Sequence, residues 1–93
     1  MASFSERLAD WIGEIVVLDC HAPFVAIGTL AAASSESIEL TDADLHDLRD
    51  TETSRELYVV KTARHGVAFN RKRVLLRSAE VVAVAKLDDV VAG

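Results

Sequence analysis

The densest basic cluster of the chain is Arg71-Lys72-Arg73, in a segment from Lys61 to Arg77 that has six Lys or Arg residues and no carboxylate. Clustered cationic side chains can contact phosphate oxygens, and such contacts are salt-dependent and indifferent to base sequence. The same cluster is also typical of a solvated strand end, where charges discourage edge-to-edge aggregation. Both interpretations of Arg71, Lys72 and Arg73 stay open.

The residues that could hold a metal or act as nucleophiles are scattered, namely Cys20, His21, His46, Asp47 and His65. Their spacing matches no familiar pattern of metal ligands. Cys20 and His21 are adjacent, and adjacent residues on a strand point to opposite faces, so they do not form a nucleophile–base pair. No metal site, cofactor or catalytic centre is predicted, and the expected function is binding.

Charge and hydrophobicity add two constraints. The 93 residues have a formal net charge of −5, which argues against an ordinary basic nucleic-acid-binding domain. The charge is polarised, however, because eight carboxylates and two arginines lie between Glu36 and Glu56. A basic face can therefore coexist with a negative total. Hydrophobic residues make up 51% of the chain, a large share for one small core, and predict burial against other copies.

The chain is expected to be one soluble domain spanning residues 1–93. Its single cysteine, Cys20, cannot form an intramolecular disulfide and favours a reducing, cytoplasmic setting. The N-terminus lacks the pattern of a signal peptide. The longest apolar stretch, Phe24 to Ala33, is too short to span a bilayer, so no membrane partner is expected.

The N-terminal part predicts a helix followed by three strands. Ser3 and Glu6 have the spacing of a capping box, apolar residues then recur at helical spacing, and Gly13 fits a stop. The apolar helical positions are Phe4, Leu8, Trp11 and Ile12. The predicted strands are Glu14–Cys20, Phe24–Ala33 and Ser37–Thr41. Gly28, inside the second strand, indicates a sharp bend or a close backbone approach.

The C-terminal part predicts an insertion and two further strands. Asp42 to Asp50 is acidic and is predicted to be a loop. Thr53 to Glu56 has the pattern of a second capping box, and a helix ending at Gly66 is expected after it. The run Leu57–Val60 would equally suit a strand. The last two strands are predicted at Arg73–Arg77 and Glu80–Ala85.

These elements and two motifs resemble the Sm-like family, which includes the LSm and Hfq-type proteins. The first motif of the family has an apolar first strand, a turn, and a glycine followed two residues later by leucine. The second motif is an apolar triplet, Arg-Gly and a closing apolar strand. The matching residues here are Ile15–Leu18, Phe24–Ile27, Gly28, Leu30, Ile38, Leu40, Val74–Leu76, Arg77–Ser78 and Val81–Val84.

The resemblance covers about two-thirds of the chain, roughly residues 4–42 and 72–86. It implies a mainly β fold, with an N-terminal helix and a strongly bent, five-stranded antiparallel Sm-like (SH3-like) open barrel. This chain would be a divergent member, with an insertion at about residues 45–72 that carries an extra helix between the third and fourth strands.

In Sm-like proteins an Asn with its neighbour and an Arg hold a stacked uridine. Here serines replace the Asp and Asn of the family near Ser34 to Ser37, and Ser78 replaces the glycine. Arg77 is retained, so the resemblance implies contact with nucleic acid at Arg77, Ser78 and Ser37 without carrying over the full uridine pocket. Arg77 has a second interpretation, in which it pairs with a carboxylate of a neighbouring subunit.

The resemblance also implies a closed homo-oligomeric ring, in which the fourth strand of one subunit pairs with the fifth strand of the next. The seam would be formed by Val74, Leu76, Val82 and Val84. Two functions follow. The first is a ring that binds RNA or single-stranded nucleic acid through Arg77 and the cluster Arg71–Arg73. The second is a structural or protein-binding ring without nucleic acid, which the net charge and the missing Asp and Asn favour.

Overall fold

The computed structural model describes residues 1–50 and 53–91. Its helices are α1 (Phe4–Ala9) and α2 (Arg55–His65), and its strands are β1 (Ile15–Cys20), β2 (Phe24–Ala33), β3 (Ser37–Asp47), β4 (Arg71–Arg77) and β5 (Val81–Lys86). The strands form one antiparallel sheet in the order β4-β3-β2-β1-β5. The predicted bent five-stranded architecture, with an extra helix between the third and fourth strands, is confirmed.

Both helices begin at serine caps. In α1, the Ser3 hydroxyl accepts from the Glu6 amide at 3.2 Å, and the Glu6 carboxylate accepts from the Ser3 amide, as the capping box predicts. In α2, the cap is Ser54, one residue later than predicted, and its hydroxyl accepts from the Leu57 amide at 3.2 Å. The helix ends at Gly66, as expected.

The prediction of a loop from Asp42 to Asp50 is wrong, because β3 continues to Asp47. Asp42 has a φ of 47° and, together with Ala43, lies opposite the single residue Gly28, which makes a β-bulge. The bulge bends the strand and lets pairing with β2 resume beyond it. We call Ser37–Thr41 the near half of β3 and Ala43–Asp47 the far half.

Gly28 lies at this bend and makes the predicted close approach. A Cβ atom at this position would lie 2.8 Å from the Ala43 Cβ and 3.1 Å from the Thr41 carbonyl oxygen. Real side chains do not approach so closely, so β2 and β3 can come this close together only because residue 28 has no side chain.

The sheet is covered on both faces. One cluster packs Leu8 of α1 against the sheet, with Leu18 and Leu30 as members. The other lies on the opposite face, where Val17 and Ile27 pack beneath Tyr58 and Val59 of α2 and its flanking residues. The large share of hydrophobic residues is therefore explained in part within the chain itself, because α2 covers a second apolar face of the sheet.

Two polar contacts hold the inserted segment in place. The Arg55 guanidinium donates to the Asp19 carboxylate at 3.2 Å and to the Phe24 carbonyl oxygen at 3.1 Å. At the other end, the Asn70 side chain bonds both backbone groups of Leu45, at 3.1 and 3.3 Å. No helix among residues 1–50 and 53–91 is long and apolar enough to cross a membrane.

The close approach of the strands at Gly28 gives the first prediction. We expect Gly28→Ala to lower the free energy of unfolding by about 1–3 kcal/mol, because the added methyl group overpacks the bend. Urea denaturation followed by circular dichroism measures the change. The loss should be smaller when Ala43→Gly is the background, since one clashing carbon is then removed. A Gly28→Ala variant as stable as the native protein would contradict this account of the bend.

Candidate nucleic-acid interface

Two turns meet at one end of the sheet and form what we call the Ser–Arg corner, residues Ser34–Ser37 with Arg77 and Ser78. Ser37 and Arg77 are direct partners across β3 and β4. The Ser78 amide donates to the Glu36 carbonyl oxygen at 2.9 Å, and the Ser78 hydroxyl donates to the Ser34 carbonyl oxygen at 3.1 Å. The structure thus brings together three residues that the sequence singled out, Ser37, Arg77 and Ser78.

The turn between β2 and β3 is fixed by its own serine. The Ser34 hydroxyl accepts from the amides of Glu36 and Ser37, at 3.2 and 3.1 Å. The Ser34 amide donates to the Ser37 carbonyl oxygen at 2.8 Å. Serine hydroxyls commonly cap turns in this way. The Ser34 side chain is therefore occupied within the turn, and it stiffens the surface beside Arg77.

Arg77 presents a free cation at the corner. Its side chain is exposed and forms no ion pair or hydrogen bond among residues 1–50 and 53–91. A guanidinium offers five donors in one plane, which suits phosphate, carboxylate or the face of a base. The corner can therefore bind an anionic or planar group, and its chemistry alone does not choose between RNA and a neighbouring carboxylate.

The cluster Arg71–Arg73 lies elsewhere. It occupies the opposite end of β4, beside the bend of β3, and six residues along a strand separate Arg71 from Arg77 by about 20 Å. Arg73 also lies 3.6 Å from the Glu39 carboxylate. The two predicted basic groups are therefore separate sites on one strand, and one charge of the cluster already has a partner.

Three of the predicted seam residues pack against the core of their own chain, and the fourth is exposed to solvent. Val74, Leu76 and Val84 pack against the barrel core of their own chain, whereas the Val82 side chain is 63% exposed. Leu75, which was not among the predicted seam residues, is 69% exposed. The alternation of a strand was the signal for it, because Val74 and Leu76 share a face and Leu75 must take the other.

The strands β4 and β5 are the two edges of the sheet. Beside β4 runs a mostly apolar groove of about 260 Å³, whose lining includes Phe24, Leu45 and Leu75 together with the charged residues Arg77 and Glu80. Cys20 also lines it, and burial raises the pKa of its thiol, an effect that the nearby Arg55 guanidinium partly offsets. An exposed strand edge next to an apolar groove is able to accept another strand.

A second polar cluster, which the sequence patterns did not bring together, lies between α2 and the far half of β3. The His46 and Tyr58 rings stack with centroids 4.1 Å apart, and the Tyr58 hydroxyl donates to the Asp44 carboxylate. Burial of the ring raises the pKa of Tyr58 above its usual range, and Asp44 raises it further. The buried His46 Nε2 has no hydrogen-bond partner among the described residues.

Comparison with known proteins shows the fold. No protein-family model and no curated protein matches the sequence. Among solved structures, a Pyrococcus abyssi Sm protein in complex with a uridine heptamer matches with a TM-score of 0.62 and 14% identity, over 91% of this chain and 99% of that one. An Sm-like protein from Archaeoglobus fulgidus matches with a TM-score of 0.61 and 14% identity, over 92% and 96%.

The buried phenol gives the second prediction. Folding raises the pKa of Tyr58 above the value of about 10 for an exposed tyrosine. The neutral phenol therefore contributes fully to the stability of the folded protein below a pH of about 10, and this contribution is lost as the pH rises further. Tyr58 is the sole tyrosine of the chain, so phenolate absorbance reports on it alone. We expect the absorbance to appear at a higher pH in the native protein than in urea. Coincident titrations would contradict the buried contact with Asp44.

Proposed function

We propose that this chain, which has the Sm fold, assembles into a closed ring that binds RNA at the Ser–Arg corner. The observation that carries the proposal is the geometry of that corner, where the free guanidinium of Arg77 lies beside the rigid turn of Ser34–Ser37 on this fold. The proposed activity is binding, and it involves no cofactor and no catalytic step.

Assembly would use the two free edges of the sheet. Val82, exposed on β5, has the size and polarity to enter the apolar groove beside β4 of a neighbouring copy. Pairing these edges would satisfy their backbone donors and acceptors and bury Leu75. Val74, Leu76 and Val84 would support the seam from within each subunit.

The charges at the two edges also complement each other. In an antiparallel pairing, the Arg71–Arg73 end of β4 meets the end of β5, where Asp88 and Asp89 follow. The other end of β4 then meets Glu80, next to the start of β5. The carboxylates of Asp88 and Asp89, opposite the Arg71–Arg73 end, would favour this register over a shifted one. In the assembled ring, Arg71–Arg73 would then serve the subunit contacts more than RNA.

At the corner, each subunit would contribute one Arg77. A ring would bring these guanidinium groups around one opening, where they contact the phosphates or stack on the bases of a single strand. The Pyrococcus abyssi protein was solved with a uridine heptamer, and oligouridylate is therefore the first ligand to test. Since serines replace the Asp and Asn of the family, we expect weak discrimination among bases.

A ring without nucleic acid is the alternative function. The complementary edges favour it, because they place Arg71–Arg73 in the subunit contacts instead of on RNA. The net charge of −5 also favours it. In that case Arg77 would pair with Glu80 of the neighbour, and the acidic surface would bind a protein partner. A single cysteine continues to favour a cytoplasmic setting.

RNA binding is the third prediction. We expect the affinity for a short oligouridylate, measured by fluorescence anisotropy, to fall as salt rises. Arg77→Gln should weaken binding by at least about tenfold, since a charge-assisted contact is lost from every subunit. Arg64→Gln removes the same charge from an exposed position on α2 and is the control. Equal affinities of native protein and Arg77→Gln, or no binding at low salt, would favour the ring without nucleic acid.

Assembly through the edges is the fourth prediction. We expect Val82→Lys to be a folded monomer, because it places a charge where the neighbouring groove is apolar. Light scattering should give a multiple of 10.1 kDa for the native protein and a single copy for the variant. Leu57→Lys, at an exposed apolar residue of α2 away from the edges, should leave the mass unchanged. If Val82→Lys retained the native mass, the proposed seam would be incorrect.

A further inference from the structure

A groove of about 220 Å³ lies between α2 and the edge strand β5, and we call it the helix–edge groove. Its apolar lining residues are Val17, Val59, Val60, Ala85, Val90 and Val91. Three charged residues also line it, and two of them, Asp19 and Arg55, are bonded to each other at 3.2 Å. The third is Glu56. The groove is therefore mostly apolar and adjoins a strand edge that is free in the single chain.

The helix–edge groove is open to solvent in the single chain. Val91 is 84% exposed at its side, and Val60 and Val90 are half-buried. Engineered apolar cavities of roughly 150 Å³ are large enough to bind benzene. A groove of about 220 Å³ therefore has room for one apolar side chain from outside.

Leu75 of a neighbouring copy would lie on the matching face of the sheet. In its own chain Leu75 points away from the core that Val74 and Leu76 pack against, because successive residues of a strand alternate. On β5, Ala85 pairs with Val17, which belongs to the cluster beneath α2. When β4 of one copy extends the sheet of the next copy at β5, Leu75 and Ala85 therefore both lie on the side of α2.

The proposed register brings Leu75 to the groove. The Arg71–Arg73 end of β4 lies opposite the end of β5, and the other end of β4 lies opposite the start of β5, so Leu75 lies opposite Ala83 to Ala85. Alanine side chains are short and leave space between β5 and α2. Leu75 is 69% exposed in the single chain, and in this space its apolar surface would leave water.

The charges around the groove favour the same occupant. Arg73 lies two residues from Leu75 on the same face of β4, and its side chain is 70% exposed although it contacts Glu39. Glu56 is exposed and forms no ion pair within residues 1–50 and 53–91. A neighbouring β4 would thus bring a cation towards this carboxylate while its leucine fills the apolar part of the groove.

We propose that α2 is part of the subunit interface, and that Leu75 of one copy enters the helix–edge groove of the next. The contact rests on the proposed ring, and it adds to the pairing of β4 with β5 a second surface that the inserted helix supplies. The insertion would then hold the neighbouring subunit from the outer face of the sheet, in addition to covering the core of its own chain.

The test measures the concentration at which the assembly dissociates, by analytical ultracentrifugation over a dilution series. Val60→Lys places a charge in the groove, whereas Leu57→Lys places the same charge at an exposed position of the same helix. We expect Val60→Lys to raise the dissociation concentration by about tenfold or more, and Leu57→Lys to leave it within about twofold. Circular dichroism verifies that both variants keep the helix.

Leu75→Ala tests the contact from the other subunit, and it leaves the fold intact because Leu75 is already exposed in the single chain. We expect it to raise the dissociation concentration by about tenfold as well. The double variant with Val60→Lys should dissociate within about threefold of the weaker single variant, because both changes remove one contact. Val60→Ala, which shortens the groove wall without a charge, repeats this cycle if the lysine disturbs folding.

Native-like dissociation of the Val60 variants would overturn the participation of α2, as would losses that simply multiply in the double variant. Either result would leave the ring standing, provided that the native protein is assembled and Val82→Lys is a monomer. A native protein that is a single chain at every concentration would instead overturn the ring, and the contact of Leu75 with α2 would fail with it.

Discussion

The close approach of β2 and β3 at Gly28 determines how the rest of the sheet is arranged. A Cβ atom on residue 28 would lie 2.8 Å from the Ala43 Cβ, and the bulge at Asp42 bends β3 at this point. The near half of β3 can then pair with β4 and reach the Ser–Arg corner. The far half continues beside β2 and receives α2. Because Gly28 has no side chain, β3 can continue past the bend and contact β4 at one end of the sheet and α2 at the other.

The bend also explains how such a small chain buries apolar residues on both faces of its sheet. Because β1 and β2 carry continuous apolar runs, they have hydrophobic residues on both faces, and a single core would cover one face alone. Here α1 and the curled sheet enclose one face, while α2 and its flanking residues cover the other. What remains exposed is concentrated partly on the edges, at Leu75 and Val82. That distribution is consistent with a fold whose stability is shared between intrachain packing and contacts at its edges.

Local patterns were enough to predict most elements. Serine caps, helical spacing and β-branched runs each act over a few residues, so β2 and α2 were placed close to their observed ends. The start of α1 was also predicted, but α1 ends at Ala9, before the predicted stop at Gly13. The loop predicted from Asp42 to Asp50 failed because acidic composition is a weak indicator when a bulge lets a strand continue, and the positive φ of Asp42 leaves little trace in sequence. The cluster of Asp44, His46 and Tyr58 depended on that same misplaced segment and on packing of α2, which no local pattern encodes. Ser37 and Arg77 could be paired beforehand through the resemblance to Sm-like proteins, whereas the hydrogen bond from Ser78 to Ser34 required the structure.

We propose that the free edges of this sheet close a ring whose Arg77 residues bind a single RNA strand. Native mass spectrometry of the unmodified protein with an oligouridylate tests both parts in one spectrum. The account predicts one assembly, with a mass equal to a whole number of 10.1 kDa chains plus one oligonucleotide. A single chain in the presence of the oligonucleotide, with no RNA attached, would contradict it.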